Sequence, residues 1–159
     1  MSPTPLAEWV GRTETLVDVV SPTPVRAMEA TLGRTPADLR PGDPVPPLWT
    51  WLFFLPLAPM GEVGPDGHPR RGGFLPPVEL PRRMWAGSRC AFHGPIRIGD
   101  EITRTSTILK VAEKAGHAGP LIFVTVQHET TVQGRPVLSE EQDLVYMDIP
   151  ARWQAPAPT

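Results

Sequence analysis

The sequence predicts an α+β domain in which a curved antiparallel sheet grips one central apolar helix. Three observations carry this. From Arg82 onward hydrophobicity alternates with a period of two through four successive stretches. Ahead of them lies Pro47 to Leu55, an apolar run with no polar face, as a helix buried on all sides requires. The order strand, helices, four-stranded meander then gives the sheet one element to wrap around.

Taken in order, Glu14 to Val20 alternates weakly and reads as a first strand. A helix follows, with Thr23 placed to cap it, Pro24 suited to its first position and Gly33 to its stop. Val25, Met28 and Leu32 share one face of it. Pro47 to Leu55 is read as the buried helix, although periodicity alone leaves a buried strand open. The four strands are Arg83 to Phe92, Glu101 to Val111, Leu121 to Gln133 and Val137 to Ile149. In the third, Ile122, Val124 and Val126 face one way while Thr125, Gln127 and Glu129 face the other. Gln133-Gly134 suits a hairpin turn, and Gly94-Pro95, Gly99-Asp100 and the stretch from Gly116 to Pro120 punctuate the other connections. Residues 1–153 are read as one domain and 154–159, Gln-Ala-Pro-Ala-Pro-Thr, as a flexible tail.

Composition excludes several classes. At 159 residues the chain can bury one core. A net charge of −2 supplies no basic field for nucleic acid. Cys90 is alone, so no internal disulfide forms and a reducing cytoplasm is the expected location. No basic region precedes an apolar stretch at the N-terminus, so no secretory signal is read. Prolines interrupt Pro44 to Met60, which falls short of a membrane span.

One segment is not explained by scaffold. Residues 66–77, with 82–87, hold three prolines, four glycines and four arginines beside Asp66 and His68. A loop so polar and rigid is costly unless it holds something, and its cationic excess points to an anionic small molecule.

Several motifs in order carry a family likeness: Asp66 to Pro77, Arg82 to Gly87, Pro95-Ile96-Arg97-Ile98-Gly99-Asp100, and Glu141-Gln142-Asp143-Leu144-Val145-Tyr146. Lys114-x-Gly116-x-x-Gly119-Pro120-Leu121 and Phe123-Val124-Thr125-Val126-x-His128-Glu129 add to it. From Trp9-Val10-Gly11-Arg12 to Tyr146 the chain resembles the N-terminal half of two-domain MaoC-type hydratases, the group of mesaconyl-CoA (3-methylfumaryl-CoA) hydratase-like enzymes. The resemblance implies a single hot-dog domain acting on an enoyl or 3-hydroxyacyl thioester of coenzyme A or acyl carrier protein, with no cofactor. It also implies that the catalytic Asp and His, on a loop reading roughly Asp-x-Asn-x-x-His, belong to a second hot-dog domain. That motif is missing here, so the chain is expected to be a substrate-binding half completed by a partner, as a heterodimer or a homodimer.

Hydrating an enoyl thioester needs a base for water, an acid for the α-carbon and donors for the thioester oxygen. Asp66 and His68 are the close Asp/His pair of the loop and its catalytic candidates; the alternative is a turn at Asp66-Gly67 that His68 caps. Arg70, Arg71, Arg82 and Arg83 could bind coenzyme A phosphates or a substrate carboxylate, or form a solvated patch paired with Glu62 or Glu79. Trp85 either covers the ligand or packs in a core or interface. Gly72, Gly73 and Gly87 allow close backbone approach, or serve a turn or bulge. His128 reads as a satisfied core or interface histidine, and His93 and His117 sit in loops. Glu140, Glu141 and Asp143 read as an acidic cluster facing solvent or a subunit. Four histidines and one cysteine at these spacings form no metal site, and no phosphate-binding glycine loop leads from a strand into a helix. Two other functions stay open. One is a non-catalytic binding or assembly subunit; the other is a self-sufficient homodimeric hydratase or thioesterase using Asp66, His68 or Glu141.

Overall fold

A computed structural model describes residues 5–116 and 119–149. Five strands form one antiparallel sheet: β1 (Thr13–Val19), β2 (Arg82–Phe92), β3 (Glu101–Gly116), β4 (Gly119–Val132) and β5 (Arg135–Met147). Their spatial order is β1-β3-β4-β5-β2, so β1 and β2 are the open edges. The alternation that marked the strands is their pleat. Val124 and Val126 are buried on one face, while Thr125, Gln127 and Glu129 form the polar outer face with Thr103, Thr105, Glu141 and Asp143. Irregular pairing at Trp85/Gly87, Ile108/Lys110 and Thr130/Thr131 bends the strands.

The expected four-stranded meander is a three-stranded one, β3-β4-β5, with β2 carried across to the far side of β5. Length explains the difference. Residues 93–100 separate β2 from β3, too many for a tight hairpin. That connection runs beneath the end of the sheet, burying Ile96 and Ile98 and bonding to the segment at 42–45.

The single α-helix among the described residues, α1 (Pro22–Thr31), lies where the amphipathic pattern placed it. Its cap is Ser21 and its first residue Pro22, two residues ahead of the expected Thr23 and Pro24. Gly33, at φ +71°, ends it. The apolar run Pro47 to Leu55 is not a second α-helix. It makes one 3-10 turn, Trp49–Leu52, between Leu48 at φ +66° and Phe54 at φ +57°. Prolines 47 and 56 confine any helix here to about two turns, and the left-handed Leu48 and Phe54 cut it to one. Phe53 and Phe54 go into the core while Trp51 and Leu55 stay exposed. The segment from 44 to 80, largely irregular, therefore covers the concave face that a central helix over Pro47 to Leu55 was expected to fill. No helix among the described residues is long and apolar enough to cross a membrane.

The core comes in two parts. One end of the sheet holds Val20, Val25, Val45, Phe53, Ile96, Ile98, Ile102 and Val132. The other holds Trp9, Val78, Ile108, Val124, Val126 and Tyr146.

Candidate active-site cleft

Between those two clusters the concave face turns polar at the same height on three adjacent strands. Along β3 the inward positions run Ile102, Arg104, Ser106, Ile108; along β4, Val132, Thr130, His128, Val126; along β5, Leu138, Glu140, Gln142, Leu144. Ser106 pairs directly with His128, and His128 with Glu140. A sheet face that only needed to fill a core would have carried aliphatic residues at these positions.

This band floors a cleft of about 1060 Å3 whose walls include Trp51, Phe53, Phe54, Phe74 and Leu144. His128 Nδ1 lies 2.8 Å from Ser106 Oγ. Burial, and then the neighbouring Arg104 charge, hold this imidazole below its ordinary pKa against the opposing pull of Glu140 and Gln142, so it is neutral at pH 7. Glu140 is 4% exposed and accepts hydrogen bonds from Ser88 Oγ at 2.6 Å and Trp51 Nε1 at 3.0 Å. Arg104 stands over the Phe54 ring at 4.7 Å, its Nε buried without an acceptor. His128 is thus bonded, as expected, but to the floor of a cleft and not within a closed core. The acidic trio separates by face: Glu140 turns inward, while Glu141 and Asp143 form ion pairs outside with Arg89.

The loop residues divide in the same way. His68, Arg70, Arg71 and Arg83 line the cleft. Asp66-Gly67 makes a tight turn, closed by Gly67 N–H to Gly64 O and Gly64 N–H to His68 O, with Gly67 at φ +75°. His68 Nδ1 meets the Asp66 carbonyl at 2.9 Å and stands 3.8 Å from its carboxylate. That carboxylate lies within ion-pair distance of Arg71 at 3.4 Å and Arg83 at 3.6 Å. Burial pushes the Asp66 carboxyl up, but the His68 N–H, Arg83 and Arg71 together outweigh it and hold the group below its usual pKa. Arg71 also donates to the carbonyls of Val78, Leu80 and Pro81, which makes it the clasp that folds the loop onto the sheet. Glu62 and Glu79, the partners weighed for these arginines, form no ion pair with them.

Outside the cleft lie the other candidates. Arg82 is exposed and reaches Met84 Sδ at 3.6 Å. Trp85 sits on the open edge, 58% exposed, edge-on to Trp51 with centroids 6.4 Å apart, and donates to Ser88 Oγ. Gly87 closes the β2 bulge and Gly72 turns at φ +92°, whereas Gly73 beside it lines the cleft. Exposed His93 reaches Ser139 Oγ, and His117 lies outside the described residues. No group of three or more His, Cys, Asp or Glu among the described residues is arranged to hold a metal.

A family model, hydroxyacyl-thioester dehydratase type 2, matches residues 48–159. This chain belongs to that family. Mesaconyl-C(4)-CoA hydratase of Chloroflexus aurantiacus is 43% identical over 150 residues, covering 94% of this chain and 54% of that protein. The chain therefore spans about half the length of the curated relative it matches. Among solved structures, the ChsH1-ChsH2 complex of Mycobacterium tuberculosis matches at TM-score 0.59 and 14% identity, over 87% of this chain and 89% of that one. The truncated HadBC (3R-hydroxyacyl-ACP dehydratase) complex of the same organism matches at 0.57 and 15%, over 88% and 98%. At such identities the likeness shows the fold. It is the hot-dog fold, and the resemblance read from the sequence to MaoC-type hydratases is borne out.

Proposed function

We propose that this dehydratase-family chain is the acyl-holding half of a hydro-lyase acting on enoyl and 3-hydroxyacyl thioesters. In the reaction, the oxygen of water adds to C3 while a proton is delivered to C2, or the same steps run in reverse. The polar band across β3, β4 and β5 carries this reading, because it keeps a solvated, apolar-walled cleft open where a core would otherwise close. Its aromatic walls suit an acyl group, and neutral His128 with Ser106 and Gln142 offers polar contacts along it.

The proton-transfer pair is proposed to come from a second hot-dog domain or subunit. Asp66 is poorly placed to act as a base, since its carboxylate serves two arginines and stands apart from the His68 ring. Asp66 and His68 are accordingly proposed as loop-shaping residues, Arg71 as a clasp, and Arg70 and Arg83 as ligand contacts at the cleft wall. The open β2 edge, with Met84, Trp85 and Phe92 exposed along it, is the proposed docking strand for that second domain. Mesaconyl-C(4)-CoA hydratase, about twice this chain's length, supports the division of labour, as do the two-component complexes among the solved neighbours. The lone Cys90 supports a cytoplasmic setting.

The test is loss of enoyl-thioester absorbance with crotonyl-CoA, for the chain alone and mixed with a second hot-dog domain. The mixture is expected to turn over and the chain alone to be inactive. Turnover by the chain alone that disappears in His68→Ala or His128→Ala would instead mean a self-sufficient enzyme.

A further inference from the structure

Four arginines line the concave cleft: Arg70 is exposed to solvent, and the other three differ in how they are neutralised. Arg71 is occupied by three carbonyls and Asp66, and Arg83 shares the same carboxylate. Arg104, in the middle of the polar band, has no such company. Among the described residues it forms no ion pair within 4.0 Å and donates no side-chain hydrogen bond, and its Nε is buried. The Phe54 ring at 4.7 Å holds the plane of the fork without accepting from it. Glu140 has both oxygens engaged by Ser88 and Trp51, and Glu14 acts from beyond ion-pair distance. Arg104 is half-buried, with its Nε unbonded and no carboxylate within ion-pair distance, so its fork is free to take an incoming anion.

We propose that Arg104 is the specificity-determining residue of the cleft, pairing with a carboxylate at the far end of the acyl group and so selecting dicarboxylic over simple fatty acyl thioesters. This rests on the acyl-holding role proposed above. The planar fork matches a carboxylate through two parallel hydrogen bonds. A phosphate of the coenzyme is a poorer fit: one guanidinium offsets less of its larger charge than of a carboxylate's single one, and Glu14 and Glu140 repel the larger charge more strongly. Buried Thr130, directly opposite Arg104 on β4, and Ser106 two residues along β3 leave hydroxyls beside the same spot.

Calorimetric titration of wild type, Arg104→Met and Arg104→Lys with mesaconyl-C4-CoA and with crotonyl-CoA tests this. Arg104→Met is expected to weaken mesaconyl-C4-CoA by about 10- to 100-fold, the worth of a charged, paired hydrogen bond, and crotonyl-CoA by less than about 3-fold. Arg104→Lys should fall between, keeping the charge but losing the fork. The Tm of the empty Arg104→Met protein should be no lower than that of wild type, because the half-buried guanidinium bonds to no protein group. If wild type binds both esters and Arg104→Met weakens them equally, or lowers Tm, Arg104 is a structural residue and the anchor is wrong while the cleft stands. If wild type binds neither ester, the acyl-holding role fails and the anchor fails with it.

Discussion

Asp66 holds two guanidinium groups at once, and this sets the sign of its pH dependence. Its carboxyl lies below its ordinary pKa when folded, so its stabilisation is complete above the unfolded value and is lost as pH falls through the folded one. Asp66→Asn should therefore cost about 1–2 kcal/mol near neutral pH, since Arg71 keeps its carbonyls while Arg83 loses its counter-charge. Urea unfolding at neutral and acid pH checks this, and the gap between the two proteins should shrink on the acid side. His128 gives a second prediction. Its imidazole is depressed first by burial and then by Arg104, so Arg104→Met should move its NMR titration midpoint upward while leaving the burial contribution in place. The residues that organise the cleft were the hardest to read from sequence. The arginine-rich loop stood out, yet Arg71 and Arg83 are largely spent on Asp66 and the backbone. Arg104, His128 and Glu140 are single polar residues within strands. The available signal was their parity: each interrupts the apolar, inward side of a period-two pattern, and strand pairing brings the three interruptions together.

At the scale of elements, the β4–β5 hairpin offers the sharpest check. Its two turn residues, Gln133 at φ +50° and Gly134 at φ +75°, both adopt left-handed backbone, which asparagine tolerates better than glutamine. Gln133→Asn should raise stability by about 0.5–1 kcal/mol in a thermal or urea melt, because the position is exposed and only the backbone preference changes. The strands were legible because a half-buried antiparallel sheet imposes alternation on its sequence, and α1 because proline and glycine bracket it. Pro47 to Leu55 was misread because apolar composition says that a segment is covered, without saying in which conformation. The two positive φ angles at Leu48 and Phe54 leave no mark in residue type. The far-side pairing of β2 was equally hidden, since pattern identifies a strand and not its neighbour.

At the scale of the whole molecule, a polar band divides one small core into two clusters, and both edge strands, β1 and β2, are left open beside the cleft. Both features sacrifice stability in the isolated chain, which is expected of a surface that awaits a ligand and a partner. On the edge, Trp85→Glu should lower the chain's own stability by less than about 1 kcal/mol. It should weaken association with a second hot-dog domain by about 10-fold or more, as read by sedimentation, because an exposed aromatic anchor is replaced by a charge. The central claim is that the concave cleft holds the acyl group. Amide hydrogen exchange of the chain with and without a saturating, unreactive acyl-CoA tests it most directly. New protection is expected in β3, β4 and β5 around Arg104, His128 and Glu140. Protection confined to the loop at 64–75, or none in the three strands, would contradict it.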